Sequence, residues 1–262
     1  MSSSKLFFSS LIYKVTNRMF QNRTKTGDVV FKIGDDDEAV WAHKCVLAAI
    51  SPKYEVQFYD GDFNDINIQL FEVKEPCVTV AAFNEFLQFF YSSSIVLTLK
   101  NIEGVMFLAK ESLVEAFYEL CIKFLMEILT VKNVCEIYYL AKLHECTKLL
   151  ERCETVIEDN SKKVFITDGF IHSKRSVFLN ILQLVPINIK ATDVFEACIA
   201  WAKHFCTENN RDPKNCYDLR DILGDVLYSI QFKTMTIQEF MGYYRHYKNL
   251  FTDEERERKF SS

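Results

Sequence analysis

Glycine and proline are scarce in this chain. Seven glycines and four prolines among 262 residues are too few turn formers for a many-stranded β fold, and their scarcity favours long helices. No run approaches the ~20 apolar residues needed to cross a bilayer, so a membrane role is not expected. Met1-Ser2-Ser3-Ser4-Lys5 leads only into the short patch Leu6-Phe7-Phe8, with no cleavage site of a secretory signal. An excess of positive charge is missing too. Thirty-one Lys and Arg stand against 36 Asp and Glu, for a net charge of −5, which argues against the basic footprint that nucleic acid requires. There is no Gly-rich phosphate loop, no Gly-x-Ser-x-Gly and no His-Glu-x-x-His. No catalytic residue, cofactor or enzymatic activity is therefore expected.

Nine cysteines are present and scattered, mostly inside apolar helical patterns. Free thiols in a reducing compartment follow, with a cytoplasmic or nuclear location. His144-x-Cys146 with Cys153, and His204-x-Cys206, are the only His/Cys clusters. Neither supplies the four ligands of a structural zinc site, so no metal is expected. The composition, 49% apolar and 26% charged, is ordinary for a globular protein, and the length suits about two domains.

The pattern along the chain is mixed at first and then helical. Leu11, Val15 and Met19, flanked by Ile12 and Phe20, form a helical stripe. Val29-Val30-Phe31 and Ala39-Val40-Trp41, separated by Asp35-Asp36-Asp37, read as a β-hairpin. Ser51 before Pro52 reads as a helix start. Ile66-Asn67-Ile68-Gln69-Leu70 alternates as a strand with one buried face. After Pro76 the spacing predicts helices over 81–91, 102–110 and 113–129, then a second helical region from Asn133 to about Tyr247. In that region Asn133 is a candidate cap, and segments 148–160, 164–170 and 174–184 are helical. Asp193 with Glu196, and Thr236 with Glu239, are capping-box-like starts. Residues 209–214 read as a loop. The mixed-sign run 253–259 reads as a solvated tail.

The order Asp28-Val29-Val30-Phe31, then Ala42-His43-Lys44, Val46-Leu47-Ala48 and Ser51-Pro52, resembles the opening of a BTB (POZ) domain. Further on, Asn133-Val134-Cys135, Cys153, Phe170, Val194-Phe195-Glu196-Ala197 and Trp201-Ala202 resemble a BACK domain, the helical companion of many BTB domains. Thr234 to Phe240 is most similar to the BTB–BACK group that also carries a C-terminal PHR β-sandwich. No PHR sandwich, Kelch repeats or zinc fingers follow before Ser262. The resemblance implies an α+β fold, with a small sheet capped by helices followed by an all-α helical-hairpin domain. It divides the chain into an N-terminal dimerisation helix region (1–27), a BTB domain (28–130), a BACK domain (131–247) and a charged tail (248–262).

The resemblance also implies a function. BTB–BACK proteins typically bind cullin-3 and present protein substrates to a ubiquitin ligase. The matching contact is the turn Phe63-Asn64-Asp65, where an exposed aromatic would fill a groove on the partner, together with the start of BACK. Asp65 stands where the family has Glu. Leu11, Val15 and Met19, with the charged pair Asp28 and Lys44, match the homodimer interface. His43 is expected to be a satisfied structural histidine. The alternative reading is a BTB scaffold that oligomerises without cullin-3, competing with full-length relatives. The substrate itself is not named by the sequence.

Overall fold

The computed structural model describes residues 9–59, 69–184 and 189–252, and it divides into two compact units, Met1–Phe124 and Leu125–Ser262. The first opens with helix α1 (Ser9–Thr26). Strands β1 (Val29–Ile33) and β2 (Glu38–Ala42) follow and pair antiparallel, Val29 opposite Ala42 and Ile33 opposite Glu38. The predicted hairpin is present. Its turn needs left-handed backbone at Gly34 (φ 70°) and Asp37 (φ 53°). Gly27 joins α1 to β1 where a Cβ would meet the carbonyl oxygens of Arg23 and Ala42 at 2.5 and 2.6 Å.

Helices α2 (Lys44–Ala48) and α3 (Pro52–Tyr59) come next. Ser51 starts α3 as expected, its hydroxyl accepting from the amide of Tyr54 at 3.2 Å and donating to the Ser112 carbonyl at 2.5 Å. Strand β3 (Gln69–Val73) pairs in parallel with β1, giving the order β2-β1-β3. Here the expected face is reversed. Leu70 is 52% exposed, and Phe71 turns inward to stack on Phe31 at 5.6 Å and meet Phe58 at 5.7 Å. The register opposite β1 sets Phe71 against Phe31, and a ring pair outweighs one leucine. Residues 66–68 of the expected strand lie outside the described residues.

Helices α4 (Val80–Ser92), α5 (Ile102–Glu111) and α6 (Glu115–Ile128) complete this part of the chain. Phe83, Phe86, Leu87 and Phe90 of α4 are buried, as their spacing predicts. Phe83 packs on Phe31 at 4.9 Å, which joins helix to sheet. The start of α6 was expected at Leu113. It begins later because Leu113 adopts φ 57°, a left-handed backbone that no helix continues through.

The second unit continues with α7 (Val134–Leu143), α8 (Thr147–Phe165), α9 (Asp168–Ile171), α10 (Arg175–Gln183), α11 (Ala191–Glu208), α12 (Cys216–Leu223), α13 (Val226–Ser229) and α14 (Ile237–His246). Asn133 sits before α7 but does not cap it with its side chain. Its Oδ1 accepts from the amide and hydroxyl of Thr130, and its Nδ2 donates to the Ile128 carbonyl, so it fastens the preceding turn. Helix α8 runs past the expected end at Asn160 and kinks there (φ −129°, ψ 21°). Asp193 is likewise not a cap. Helix α11 begins two residues earlier, and the Asp193 carboxylate meets Lys162 Nζ at 2.7 Å. The Thr236–Glu239 box is complete, with each side chain bonded to the other's backbone amide.

An aromatic ladder runs through this unit. Phe165 meets Phe170 at 5.2 Å, Phe170 meets Phe178 at 5.7 Å, Phe178 stacks on Trp201 at 4.0 Å, and Trp201 stacks on Phe205 at 4.8 Å. The Trp201 indole N–H donates to the Ser173 carbonyl at 2.9 Å. Phe178 is fully buried in the middle. Phe178→Ala should therefore lower the unfolding free energy of this unit by about 3–5 kcal/mol. Urea unfolding followed by tryptophan fluorescence checks it, and a loss under ~1 kcal/mol would mean the ladder is not closely packed.

Candidate protein-interaction site

The C-terminal turns of α1 are fastened to the first unit, and the rest of the helix is not. Phe20 is buried against Tyr91 at 5.3 Å. The Arg23 guanidinium lies 4.1 Å over the Phe20 ring and donates to the Phe20 carbonyl and the Asn84 side chain, both at 2.8 Å. Thr26 ends the helix in a hydrogen-bond chain. Its hydroxyl donates to the Asn22 carbonyl at 3.1 Å and lies 2.9 Å from His43 Nε2. His43 Nδ1 lies 2.7 Å from the Tyr91 hydroxyl oxygen, which also accepts from the His43 amide at 2.9 Å.

One tautomer gives every group in this chain a partner. Burial pushes the Tyr91 phenol well up, so it keeps its proton and donates it to Nδ1. Nε2 then carries the hydrogen and donates to Thr26. A proton added at Nδ1 would require the Tyr91 hydroxyl to turn its own proton away, so this arrangement favours the neutral imidazole. Burial, opposed by Asp28, lowers the His43 pKa from 6.5.

The stripe named from sequence lies above this anchor. Leu11 is 57% exposed and Val15 53%, Met19 is half-buried, and Ile12, which flanks them, is 68% exposed. Together they form one apolar face of α1 in water, larger than isolated exposed residues explain. Asp28 and Lys44 come together in another way than side chain to side chain alone. The Asp28 carboxylate accepts from the backbone amide of Lys44 at 2.7 Å, which holds the start of α2. Lys44 itself is buried. Phe63, Asn64 and Asp65 lie outside the described residues.

Three exposed residues that precede them in the chain were not singled out from sequence. Ile50 follows α2, and Val56 and Tyr59 share a face of α3 three positions apart, each exposed. The i, i+3 spacing after Ser51-Pro52 was the available signal. Cys121, Cys135, Cys153 and Cys198 are buried, and burial pushes each thiol up to about 12, which leaves them protonated and inert at neutral pH. Among the described residues no group of three His, Cys, Asp or Glu could hold a metal ion, and no helix is long and apolar enough to cross a membrane.

Comparison with known proteins follows the same division. Residues 16–129 match the BTB/POZ domain model, and residues 134–245 match the model described as BTB And C-terminal Kelch. BTB/POZ domain-containing protein 6 of Mus musculus is 32% identical over 226 residues, covering 86% of this chain and 41% of the relative. BTB/POZ domain-containing protein 3 of Homo sapiens is 29% identical, covering 86% and 42%. A solved structure, the BTB domain of zebrafish PATZ1, is 26% identical with a TM-score of 0.38, covering 48% of this chain and 99% of its own. The chain spans about two fifths of the length of the curated relatives it matches.

The neutral His43 carries a pH signature. The depressed pKa means its stabilising effect is complete above 6.5 and is lost as pH falls through the lower folded value, because the unfolded state takes up the proton first. Wild type should therefore lose more stability between about pH 7.5 and pH 5.5 than His43→Gln does. At the higher pH His43→Gln should itself cost about 1–2 kcal/mol for its lost hydrogen bonds. Urea unfolding at both pH values checks this, and equal losses would contradict it.

Two consecutive models cover nearly the whole helical and sheet core, and the relatives carry the same name. The chain belongs to the BTB–BACK proteins, an α+β BTB fold followed by a helical BACK domain, and these domains are protein-interaction modules.

Proposed function

We propose that this chain is a substrate adaptor of a cullin-3 ubiquitin ligase, dimerising through the exposed face of α1 and binding cullin-3 through Phe63-Asn64-Asp65 and the start of BACK. The observation that carries the reading is the BTB-then-BACK order. The exposed apolar residues Ile50, Val56 and Tyr59 support it, since they lie just before the Phe63 turn in the chain. Apolar and aromatic groups of this kind are the usual anchors of protein interfaces. Asp65 favours a second reading, a BTB scaffold that self-associates without cullin-3, because its carboxylate reaches one methylene less than the glutamate expected there.

Titration of the chain with purified cullin-3 N-terminal domain separates the two. The adaptor reading expects saturable binding that Phe63→Ala weakens by ~2 kcal/mol or more, the scale of an interface hot spot. Asp65→Glu should hold or improve the affinity. No binding by the wild type, and none created by Asp65→Glu, would replace the adaptor with the scaffold.

A further inference from the structure

Ile166 is the most exposed large apolar side chain among the described residues, at 79%. It does not sit on a loose loop. It ends α8 with φ −98° and ψ 5°, and the next residue locks the corner. The Thr167 amide and hydroxyl both donate to the Val164 carbonyl, at 3.0 and 2.7 Å, and the hydroxyl oxygen accepts from the Phe170 amide at 3.2 Å. Gly169 lets the start of α9 lie close to the turn before α7, for a Cβ there would meet the Lys132 carbonyl at 2.9 Å.

The corner divides two hollows. One, of about 520 Å³, is lined by Val131, Lys132, Lys163, Thr167 and Asp168 as well as Ile166. The other, of about 270 Å³, has Phe165, Ile171, Ala197 and Ala200 along its apolar lining. The charges of the second hollow are engaged: Lys162 with Asp193, and Glu196 with the Tyr243 hydroxyl at 2.5 Å. In the first, the exposed Lys132 and Lys163 have no ion-pair partner among the described residues, and Asp168 is the one carboxylate in the lining. A chain of net charge −5 thus presents unpaired positive charge around an exposed isoleucine.

We infer that this corner of the BACK domain docks an acidic, amphipathic segment of a partner protein. One apolar side chain of that segment enters each hollow astride Ile166, and its carboxylates lie against Lys132 and Lys163. The apolar contacts supply the affinity, and the lysines select the sign of the partner's charge. The inference rests on the adaptor reading and gives the chemistry of the substrate segment that the reading leaves open.

The test is selection of phage-displayed random dodecamers on the immobilised full chain, followed by fluorescence anisotropy with the enriched peptides. Enriched peptides should combine Asp or Glu with two large apolar residues. Ile166→Asp should weaken them ~30-fold or more, as expected for loss of a hot spot. Lys132→Glu and Lys163→Glu should each weaken them roughly 5- to 10-fold, less as salt is raised. All three side chains are exposed, so the variants should fold, and circular dichroism checks that they do. No enrichment, basic or uncharged peptides, or peptides indifferent to all three variants would overturn the inference. So would a change in oligomeric state with Ile166→Asp, which would make the corner a contact between copies. Cullin-3 binding of the same variants keeps the two readings apart. Binding retained with no peptide selected sinks only the docking site, and peptides selected without cullin-3 binding sink only the ligase.

Discussion

The hydrogen-bond chain from Tyr91 through His43 to Thr26 is the constraint on which the first unit's surface depends. It ties the end of α1 to the stretch between β2 and α2 and to the end of α4. Each group in it finds a partner there, so the end of the helix is held in place. Phe20 and Arg23 reinforce the joint from the same end. Because only these last turns are held, Leu11, Ile12 and Val15 are displayed in water rather than folded back. An apolar face held in that way costs free energy until something covers it. In the proposed dimer, a second copy of the same helix would cover it with matching chemistry, and a two-fold pairing would close without leaving a free end.

The second unit spends its sequence differently. Helix α11 is buried on several sides: Trp201 and Cys198 on one, Phe195 and Ile199 on others. Phe195 packs against Tyr243 and Phe251, which brings the last helix onto α11. Trp201 meets the ladder from α8 to α10. Helices α8, α9 and α12 lie against α11, while α7 is placed by its own packing on α8, α9 and α10. Their ends carry the surface features, among them the locked corner at Ile166 and Thr167.

Local signals were legible where a residue's role is set by its near neighbours. The hairpin, the Ser51-Pro52 start, the apolar spacing of α4 and the Thr236–Glu239 box all belong to that class. Signals that depend on distant partners were not. Leu70 and Phe71 exchange faces because Phe31 lies opposite, some forty positions away in the chain. Asp193 looks like a cap but finds Lys162 on another helix. Asn133 has a capping residue's chemistry and turns it backward on Thr130. Leu113 gives no warning of its left-handed backbone. Of the site residues, the α1 stripe was visible as periodicity. The Ile166 corner was not, since a single isoleucine after a helix has no period to read.

The central claim is that α1 joins two copies of the chain, and sedimentation equilibrium tests it most directly. At tens of micromolar the wild type should give about twice 30.7 kDa. Leu11→Asp, which sets a charge in the middle of the apolar face, should shift the mass toward one copy without changing the helical content. A wild-type chain that sediments as a monomer, or a dimer that Leu11→Asp leaves intact, would contradict the account.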